Sequence, residues 1–258
     1  MTIDTVLVDG VDLADTGRIV QIWEGVHESA PLRGALITIP GRDGLVDADR
    51  PFDATPFSLG LVVRGGAPDV TGFNDAYRAL KAIVKPDRLV TLTRRLSFGT
   101  GDEDHTAPAR FIGSLAPSQQ SPSDYRVLLS WLLLSGFWEG PATALAATPR
   151  SATTTVPVVG DVRTRHMTIT LSGSTSGLIE LENHTNGALL SYNAQTNSAD
   201  VVIDVLNQRA TQGGGDVSSH LNWTGTSAFQ LEAGDNDIEF SGGSSGSTVA
   251  ISYRPAWL

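Results

Sequence analysis

The sequence contains no cysteine among its 258 residues. Without thiols the chain cannot form a disulfide framework, a thiolate metal site or a cysteine nucleophile. Long hydrophobic runs are also missing, because the longest, residues 127–134, is interrupted by Ser130 and is far shorter than the roughly 20 residues of a membrane helix. The first four residues, MTID, lack the basic stretch of a signal peptide. We therefore expect no membrane insertion, no export by a standard signal, and assembly in a reducing cytoplasm.

Positive charge is scarce, and the formal net charge is −10. Lys81 and Lys85 are the only lysines, and no basic run is longer than Arg94-Arg95. Nucleic-acid binders normally carry a basic patch that neutralises phosphates, so this composition argues against tight nucleic-acid binding. It is compatible with a surface past which DNA moves without adhering. The use of arginine in place of lysine indicates a gene from a high-G+C genome.

The first half of the chain combines strand patterns with one helix. Apolar residues recur at helical spacing in the list Phe73, Ala76, Tyr77, Leu80, Ile83 and Val84. Asp69 or Thr71 can cap the start of this helix and Pro86 forces its end. The dipeptide Asp9-Gly10 predicts a tight turn between two short strands. Such a stripe normally faces a core, so we expect the helix to pack on a sheet.

Three further segments have compositions that favour a particular structure. Residues 99–105 hold several carboxylates, but they lack the alternating ligands and closing glutamate of a calcium loop, and a solvated hairpin tip is the better interpretation. Residues 124–136 are apolar at both alternating positions, which predicts a strand buried on both faces. Residues 141–155 are rich in Ala, Thr and Pro, which predicts a linker.

The second half of the chain consists of strands and turns. Period-two alternation recurs in short segments, for example residues 167–171, 201–205 and 249–253, separated by Gly-, Ser- and Asn-rich turns. Many short strands without a helix predict a β-sandwich or jelly roll. We therefore expect a mainly β protein with two domains, residues 1–148 with the single α-helix and residues 149–258 without one.

Most candidate catalytic motifs fail their context. Residues 242–246 read G-G-S-S-G and match the G-x-S-x-G pattern, but a hydrolase needs a strand-to-helix elbow there, and no helix is expected after Ser244. The five histidines are scattered and form no close ligand pair. A carboxylate pair brought together by folding remains open. We expect no catalytic residue, no metal site, no cofactor and no enzymatic activity.

Aromatic residues in the second half raise the alternative of carbohydrate binding. Trp223 and Tyr192 are the candidate sugar contacts, because jelly-roll modules often stack aromatic rings on sugars. Packing in a core or interface is the competing explanation, since aromatic residues dominate both.

Several motifs, taken in order, resemble a known family. Residues 37–44, ITIPGRDG, followed by the strand pattern LVVRG at 61–65, resemble the N-terminal domain of distal tail proteins of long-tailed, siphovirus-type bacteriophages. Residues 179–187, IELENHTNG, and 231–240, LEAGDNDIEF, are similar to the jelly-roll part of the same family. The terminal residues 253–258, YRPAWL, resemble minor tail proteins of phages that infect actinobacteria.

This resemblance implies a fold and a role. The N-terminal domain is expected to be a tail-tube-like β-sandwich or split barrel that forms a homo-hexameric ring, and the C-terminal domain a galectin-like β-sandwich. The implied function is a structural hub at the tail tip of the virion, connecting the major tail tube protein to a tail-tip or tail-associated protein, with phage DNA passing through. In some members the second domain contacts host cell-wall carbohydrate, which is the alternative function.

The loop Pro40, Gly41, Arg42, Asp43 and Gly44 is the candidate subunit interface. Its one proline and two glycines suit special backbone angles after a strand. Arg42 can form a bidentate pair with a carboxylate of a neighbouring subunit. A solvated turn is the equally weighted alternative, because isolated exposed ion pairs contribute little.

Overall fold

A computed structural model describes the greater part of the chain, namely residues 2–13, 19–23, 37–38, 45–46, 54–64, 70–98, 101–119, 124–173, 175–197, 199–224 and 229–257. The chain divides into two units, Met1–Gly140 and Pro141–Trp257. This division falls eight residues before the boundary predicted at 148. Independent folding of the two parts stays a prediction.

The first unit contains eleven strands and the one α-helix of the described residues. In chain order these are β1 (Thr2–Val8), β2 (Val11–Asp12), β3 (Ile19–Trp23), β4 (Ile37–Thr38), β5 (Leu45–Val46), β6 (Thr55–Arg64), α1 (Val70–Val84), β7 (Leu89–Phe98), β8 (Gly101–Phe111), β9 (Pro117–Gln119), β10 (Asp124–Leu133) and β11 (Trp138–Glu139). The main sheet is antiparallel with the order β2-β1-β7-β8-β10-β6-β3, and β9 pairs with β10.

One face of this sheet carries the core of the first unit. Alternate residues of β6 and β10 point to the same side, in pairs such as Leu59 with Leu129 and Phe57 with Trp131. All four side chains are buried in one cluster. Helix α1 covers this face, because Phe73, Leu80 and Val84 join the cluster and the ring of Phe73 stacks on Tyr125 at 3.9 Å. The predicted apolar stripe is confirmed.

The Asp9-Gly10 dipeptide makes the predicted turn between β1 and β2. Both residues have positive φ, 50° and 80°, which matches a hairpin turn of the primed type. The Asp9 carboxylate accepts hydrogen bonds from the backbone N–H of Thr91 and from Lys85 Nζ at 2.8 and 2.7 Å. These two donors lower the pKa of Asp9. The turn is thereby tied to the end of α1 and the start of β7.

Two expectations for the first unit were wrong in part. The hairpin between β7 and β8 is present, but residues 101–105 already belong to β8 and pair with β7, and His105 is buried. Strand β10 is buried on one face only: Val127 is fully buried, whereas Leu128 is 45 % exposed. Its apolar residues therefore serve two surfaces, a core and an outer face.

The second unit contains strands and a single 3-10 turn among its described residues. The strands are β12 (Thr143–Ala144), β13 (Thr148–Pro149), β14 (Ala152–Val158), β15 (Met167–Ser172), β16 (Thr175–Asn183), β17 (Ala188–Asn197), β18 (Val201–Asp204), β19 (Arg209–Gln212), β20 (Gly215–Asp216), β21 (Leu221–Thr224), β22 (Gly234–Gly242), β23 (Thr248–Tyr253) and β24 (Ala256–Trp257), with the 3-10 helix at Ser218–His220.

All of these strands except β24 form two sheets around one core. The first has the order β12-β23-β15-β18-β19-β20, with β13 also beside β23, and the second has the order β14-β22-β16-β17-β21. Ile169 and Ile251 from the first sheet and Leu181 and Phe240 from the second lie in the same buried cluster. The mainly β class with one α-helix is confirmed, and the second unit is a β-sandwich, as its alternating pattern predicted.

The linker predicted at residues 141–155 is wrong. Strands β12 and β13 pair with β23 in this segment, and β14 pairs with β22 along residues 152–158. Thr153 and Thr155 lie opposite the acidic residues Glu239 and Asp237. The segment is part of the sandwich, and its composition reflects β-branched residues on the edge of a sheet.

Candidate assembly surfaces

The candidate interface loop Pro40 to Gly44 lies outside the described residues. The structure describes the strands on either side of it, in which Ile37 pairs with Val46 and Thr38 with Leu45. Its role as a subunit contact stays a prediction.

Tyr192 cannot offer its ring to a sugar in this structure. Its side chain is only 2 % exposed and belongs to the core of the second unit. Its ring meets the edge of His220 at 6.1 Å between centroids, and burial raises the pKa of its hydroxyl. Core packing was the competing explanation, and it is the one observed. The side chain of Trp223 lies outside the described residues, although its backbone is in β21.

The Gly/Ser turn is not a nucleophile elbow. It joins β22 to β23, so strands lie on both sides of Ser244. The Ser244 hydroxyl lies 3.4 Å from that of Ser247, and the backbone N–H of Ser247 donates to the Ser244 carbonyl. This is the geometry of a short closing turn in which the serines bond one another.

The outer face of the first unit carries an apolar band that the sequence pattern did not locate. Ile112, Leu128 and Leu134 are 55, 45 and 43 % exposed. Ile112 lies beside Ser130, two residues from Leu128 along β10, because its N–H donates to the Ser130 carbonyl. Leu134 follows the other end of β10, beside Pro108, and the exposed Arg110 of β8 lies between it and Ile112. We call Ile112, Leu128 and Leu134 the apolar band. Exposed apolar side chains grouped on one sheet face mark interaction surfaces.

The other end of the same outer face is polar. Arg95 on β7 lies opposite Asp104 on β8, and its guanidinium donates two hydrogen bonds to that carboxylate at 2.8 and 2.9 Å. This pairing lowers the pKa of Asp104 and raises that of Arg95. Thr93 and Thr106 lie opposite each other one step further along. The outer face of the sheet is therefore apolar at one end and polar at the other.

A buried polar pair lies on the inner face of this hairpin. His105 and Arg94 are opposite each other and are 2 and 3 % exposed. Arg94 Nη2 lies 3.4 Å from His105 Nδ1, and the guanidinium lies over the ring of Trp138 at 4.8 Å. Burial, followed by the positive charge of Arg94, lowers the pKa of His105, and the nearby Glu103 opposes this in part. His105 in the folded chain is therefore neutral at a pH at which the same side chain is already protonated in the unfolded chain.

This pair makes a testable prediction about pH. Because the pKa of folded His105 is lowered below its ordinary value of 6.5, the stability it contributes is complete above about pH 6.5 and is lost as pH falls towards its folded pKa. We expect wild-type protein to lose unfolding free energy between pH 7.5 and 5.5 from this group, up to the limit of about 1.4 kcal/mol that the ordinary pKa sets over this interval. His105→Gln should flatten that slope, measured by urea denaturation at each pH.

His184→Gln is the matched control, because His184 lies on the exposed side of the second unit between Glu182 and Glu239. The pKa values of Asp9 and Asp104 are lowered from the ordinary value of 3.8, so these carboxylates do not titrate between pH 7.5 and 5.5. Equal slopes in wild type and His105→Gln would contradict the assignment.

In the second unit, the two sequence motifs that carried the family resemblance lie side by side. Asn183 ends β16 and Asn236 lies near the start of β22, and both are fully buried. Asn183 Nδ2 donates to Asn236 Oδ1 at 3.1 Å and to the Gln230 carbonyl at 2.9 Å, while Asn183 Oδ1 accepts from the Thr185 N–H. This asparagine network fixes the turn at 183–187 against the segment 230–236.

No group of residues in the described part of the chain could hold a metal ion. No described helix is long and apolar enough to cross a membrane. The features of distinctive chemistry in the described residues are two surfaces, the apolar band and the polar end of the same sheet, and one buried cluster, the asparagine network.

Residues 159–257 match the family model described as the siphovirus-type tail component, C-terminal domain. This match confirms the resemblance of the second unit to siphovirus tail proteins. The actinobacterial host stays a prediction. No curated protein sequence matches the chain.

Solved structures extend the likeness to both units. The crystal structure of the Dit protein of phage SPP1, a paradigm of the hub adsorption apparatus in phages infecting Gram-positive bacteria, matches with a TM-score of 0.72 and 17 % identity over 98 % of this chain and 99 % of that one. A baseplate structure of phage P2 in its activated, calcium-bound conformation matches with a TM-score of 0.45 and 8 % identity over 98 % of each chain. The first likeness establishes a shared fold.

Proposed function

We propose that this chain, whose second unit carries the C-terminal domain of siphovirus-type tail components, is a structural hub protein of a phage tail. In this role six copies form a ring at the tail tip, between the tail tube protein and a tail-tip protein, and DNA passes through the ring. The family match over residues 159–257 carries the proposal. The fold shared with SPP1 Dit over 98 % of the chain supports its extension to the first unit.

The apolar band supports self-assembly. Soluble monomers rarely leave contiguous apolar side chains on a sheet face, because contact with water there is unfavourable. Ile112, Leu128 and Leu134 are apolar and exposed. The uncharged Ser130 lies beside Ile112, and Arg110 lies between Ile112 and Leu134. Covering this band with a second copy of the chain would remove it from water. A head-to-tail contact of this kind closes into a ring when the rotation per subunit permits.

The polar end of the sheet supports passage of DNA. A wall that gripped phosphates would need unpaired basic side chains, whereas Arg95 is held by the Asp104 carboxylate. The net charge of −10 gives the whole chain a repulsive background towards a polyanion. A ring built from this chain would therefore offer DNA little adhesion.

The assembly is tested by Leu128→Asp, at the end of the apolar band nearest to Ile112. A charge introduced there would be desolvated by a neighbouring copy, so we expect loss of the oligomer with the monomer fold retained. Native mass spectrometry and negative-stain imaging of the full chain at high concentration would measure the ring. Circular dichroism would show whether the fold is retained.

Leu178→Asp is the matched control, because Leu178 is a leucine of similar exposure, 52 %, on a strand of the second unit. We expect this variant to assemble as wild type does. A wild-type chain that stays monomeric at all concentrations would contradict self-assembly. A Leu128→Asp chain that still forms rings would show that the apolar band is not the contact.

A further inference from the structure

The turn fixed by the asparagine network contains the dipeptide Asn186-Gly187. Both residues are exposed, and Gly187 has a positive φ of 70° with no atom within 4 Å of the position a Cβ would take. In a flexible chain this dipeptide is reactive, because glycine has no side chain to hinder attack of its own amide nitrogen on the preceding side chain. The dipeptide is therefore exposed to solvent, and its reactivity depends on the hydrogen bonds that fix the turn.

We infer that Asn186 is a latent deamidation site, closed in the native fold and opened when the turn unfolds. In the reaction the Gly187 amide nitrogen attacks Asn186 Cγ, the N–Cγ bond forms, the Cγ–Nδ2 bond breaks, and ammonia leaves with the amide proton. Water then opens the cyclic imide at either carbonyl and yields aspartate or isoaspartate. The balance is one water consumed and one ammonia released, with no oxidant or cofactor.

The native hydrogen bonds oppose this attack at both reacting groups. The Gly187 N–H, which supplies the nucleophile, donates to the Asn183 carbonyl at 2.7 Å. The Asn186 amide is held at both ends: Nδ2 donates to the Gln230 carbonyl at 3.2 Å and to Glu232 at 3.1 Å, and Oδ1 accepts from the Ala188 N–H at 3.0 Å. Cyclisation requires all of these bonds to break.

The product would destabilise the native turn. A carboxylate in place of the amide would face the Gln230 carbonyl and the Glu232 carboxylate, where Nδ2 now donates, so two attractive contacts would become repulsive. Isoaspartate would also lengthen the backbone between Asn183 and Gly187, whose hydrogen bond closes the turn. Each unfolding of the turn that lasts long enough for the reaction would therefore convert Asn186 irreversibly. In a virion protein, which is not replaced after assembly, such damage would accumulate.

The test is peptide mass spectrometry of the full chain, incubated at mildly alkaline pH in buffer and in denaturant. We expect Asn186 to convert about a hundredfold more slowly in the native chain, which corresponds to an opening free energy of the turn of about 3 kcal/mol. Asn193 and Asn222, which are exposed and followed by Ala and Trp, are internal controls that should convert slowly in both conditions. Refolding of the converted chain should give a lower melting temperature than mock-treated chain.

Two variants separate reactivity from protection. Gly187→Ala should slow conversion in denaturant, because a side chain then hinders the attack. Glu232→Ala removes one acceptor of the Asn186 amide and should speed conversion in the native chain while leaving the denatured rate unchanged. Equal native and denatured rates at Asn186, or no excess over Asn193 in denaturant, would overturn the inference.

Discussion

Asn236→Asp is expected to lower the free energy of unfolding of the second unit by about 3–5 kcal/mol. The Asn236 side chain is fully buried and makes four hydrogen bonds. Nδ2 donates to the carbonyls of Glu232 and Gly234 at 2.8 and 3.1 Å, and Oδ1 accepts from the Glu232 N–H and from Asn183. A carboxylate of the same shape loses both donors and leaves a buried charge beside two carbonyl oxygens.

The measurement is thermal unfolding, where a loss of this size shifts the midpoint by about 10 °C or more. Asn193→Asp is the matched control, since Asn193 is exposed on β17, and it should change the midpoint little. Burial favours the neutral acid, so the deficit of Asn236→Asp should shrink as the pH is lowered and the carboxyl regains a proton. A deficit independent of pH, or equal in the two variants, would show that the network does not hold the turn.

Gly242→Ala is the second substitution with a large expected effect. Gly242 has a φ of 77°, and a Cβ built on it would lie 2.0 Å from the Leu178 carbonyl oxygen on β16. The neighbour is backbone held in a sheet and cannot move aside as a flexible side chain would. Backbone strain and overpacking together should cost about 3 kcal/mol or more. Urea denaturation of the full chain would measure the loss.

Gly246→Ala is a control for strain alone, because Gly246 also has a positive φ, 90°, but no atom lies within 4 Å of its would-be Cβ. It should cost about 1 kcal/mol. Ser244→Ala, between the two glycines, should leave stability unchanged. Equal costs at Gly242 and Gly246 would refute the steric explanation. Labelling of Ser244 by a serine-hydrolase probe would instead reopen the catalytic interpretation of the G-x-S-x-G match.

Local patterns in the sequence predicted what depends on local physics. Helix α1 was predictable because its stripe, such as Leu80 and Val84, and its stop at Pro86 lie within a few turns of one another. The Asp9-Gly10 turn was predictable because the required φ values limit which residues fit. The alternation of β15, β18 and β23 was likewise predictable, since one side of each of these strands is buried.

Pairing between distant segments was not predictable in the same way. The threonines at residues 153–155 are as compatible with a loop as with a strand. Only the pairing of β14 with β22, some 80 residues later, makes this segment a strand. Strand β10 has apolar residues on both faces, and the sequence cannot distinguish a second core from an uncovered surface. The acidic residues 102–104 before His105 are typical of a solvated turn, although they already belong to β8.

The candidate site was predicted unevenly for the same reason. The segments 179–187 and 231–240 were identified by resemblance, and the contact between Asn183 and Asn236 became visible only once both strands were in place. Tyr192 has the residue type of a sugar contact, but period-two patterning cannot tell which face of a strand is inside until its partners are known. One indication was available from the sequence. Tyr192 lies two residues after the apolar Leu190, so both side chains lie on the same face of the strand.

The ion pair between Lys85 and Asp9 has a practical consequence for labelling. Lys81 and Lys85 are the only lysines in the chain, and both lie in the first unit, Lys81 over the ring of Tyr77 and Lys85 against the Asp9 carboxylate. Amine-directed dyes and cross-linkers can react with a lysine only there, and these contacts compete with the reagent at both amines. Distances to the second unit must instead come from carboxylate-directed reagents or from cysteines introduced into a chain that has none of its own.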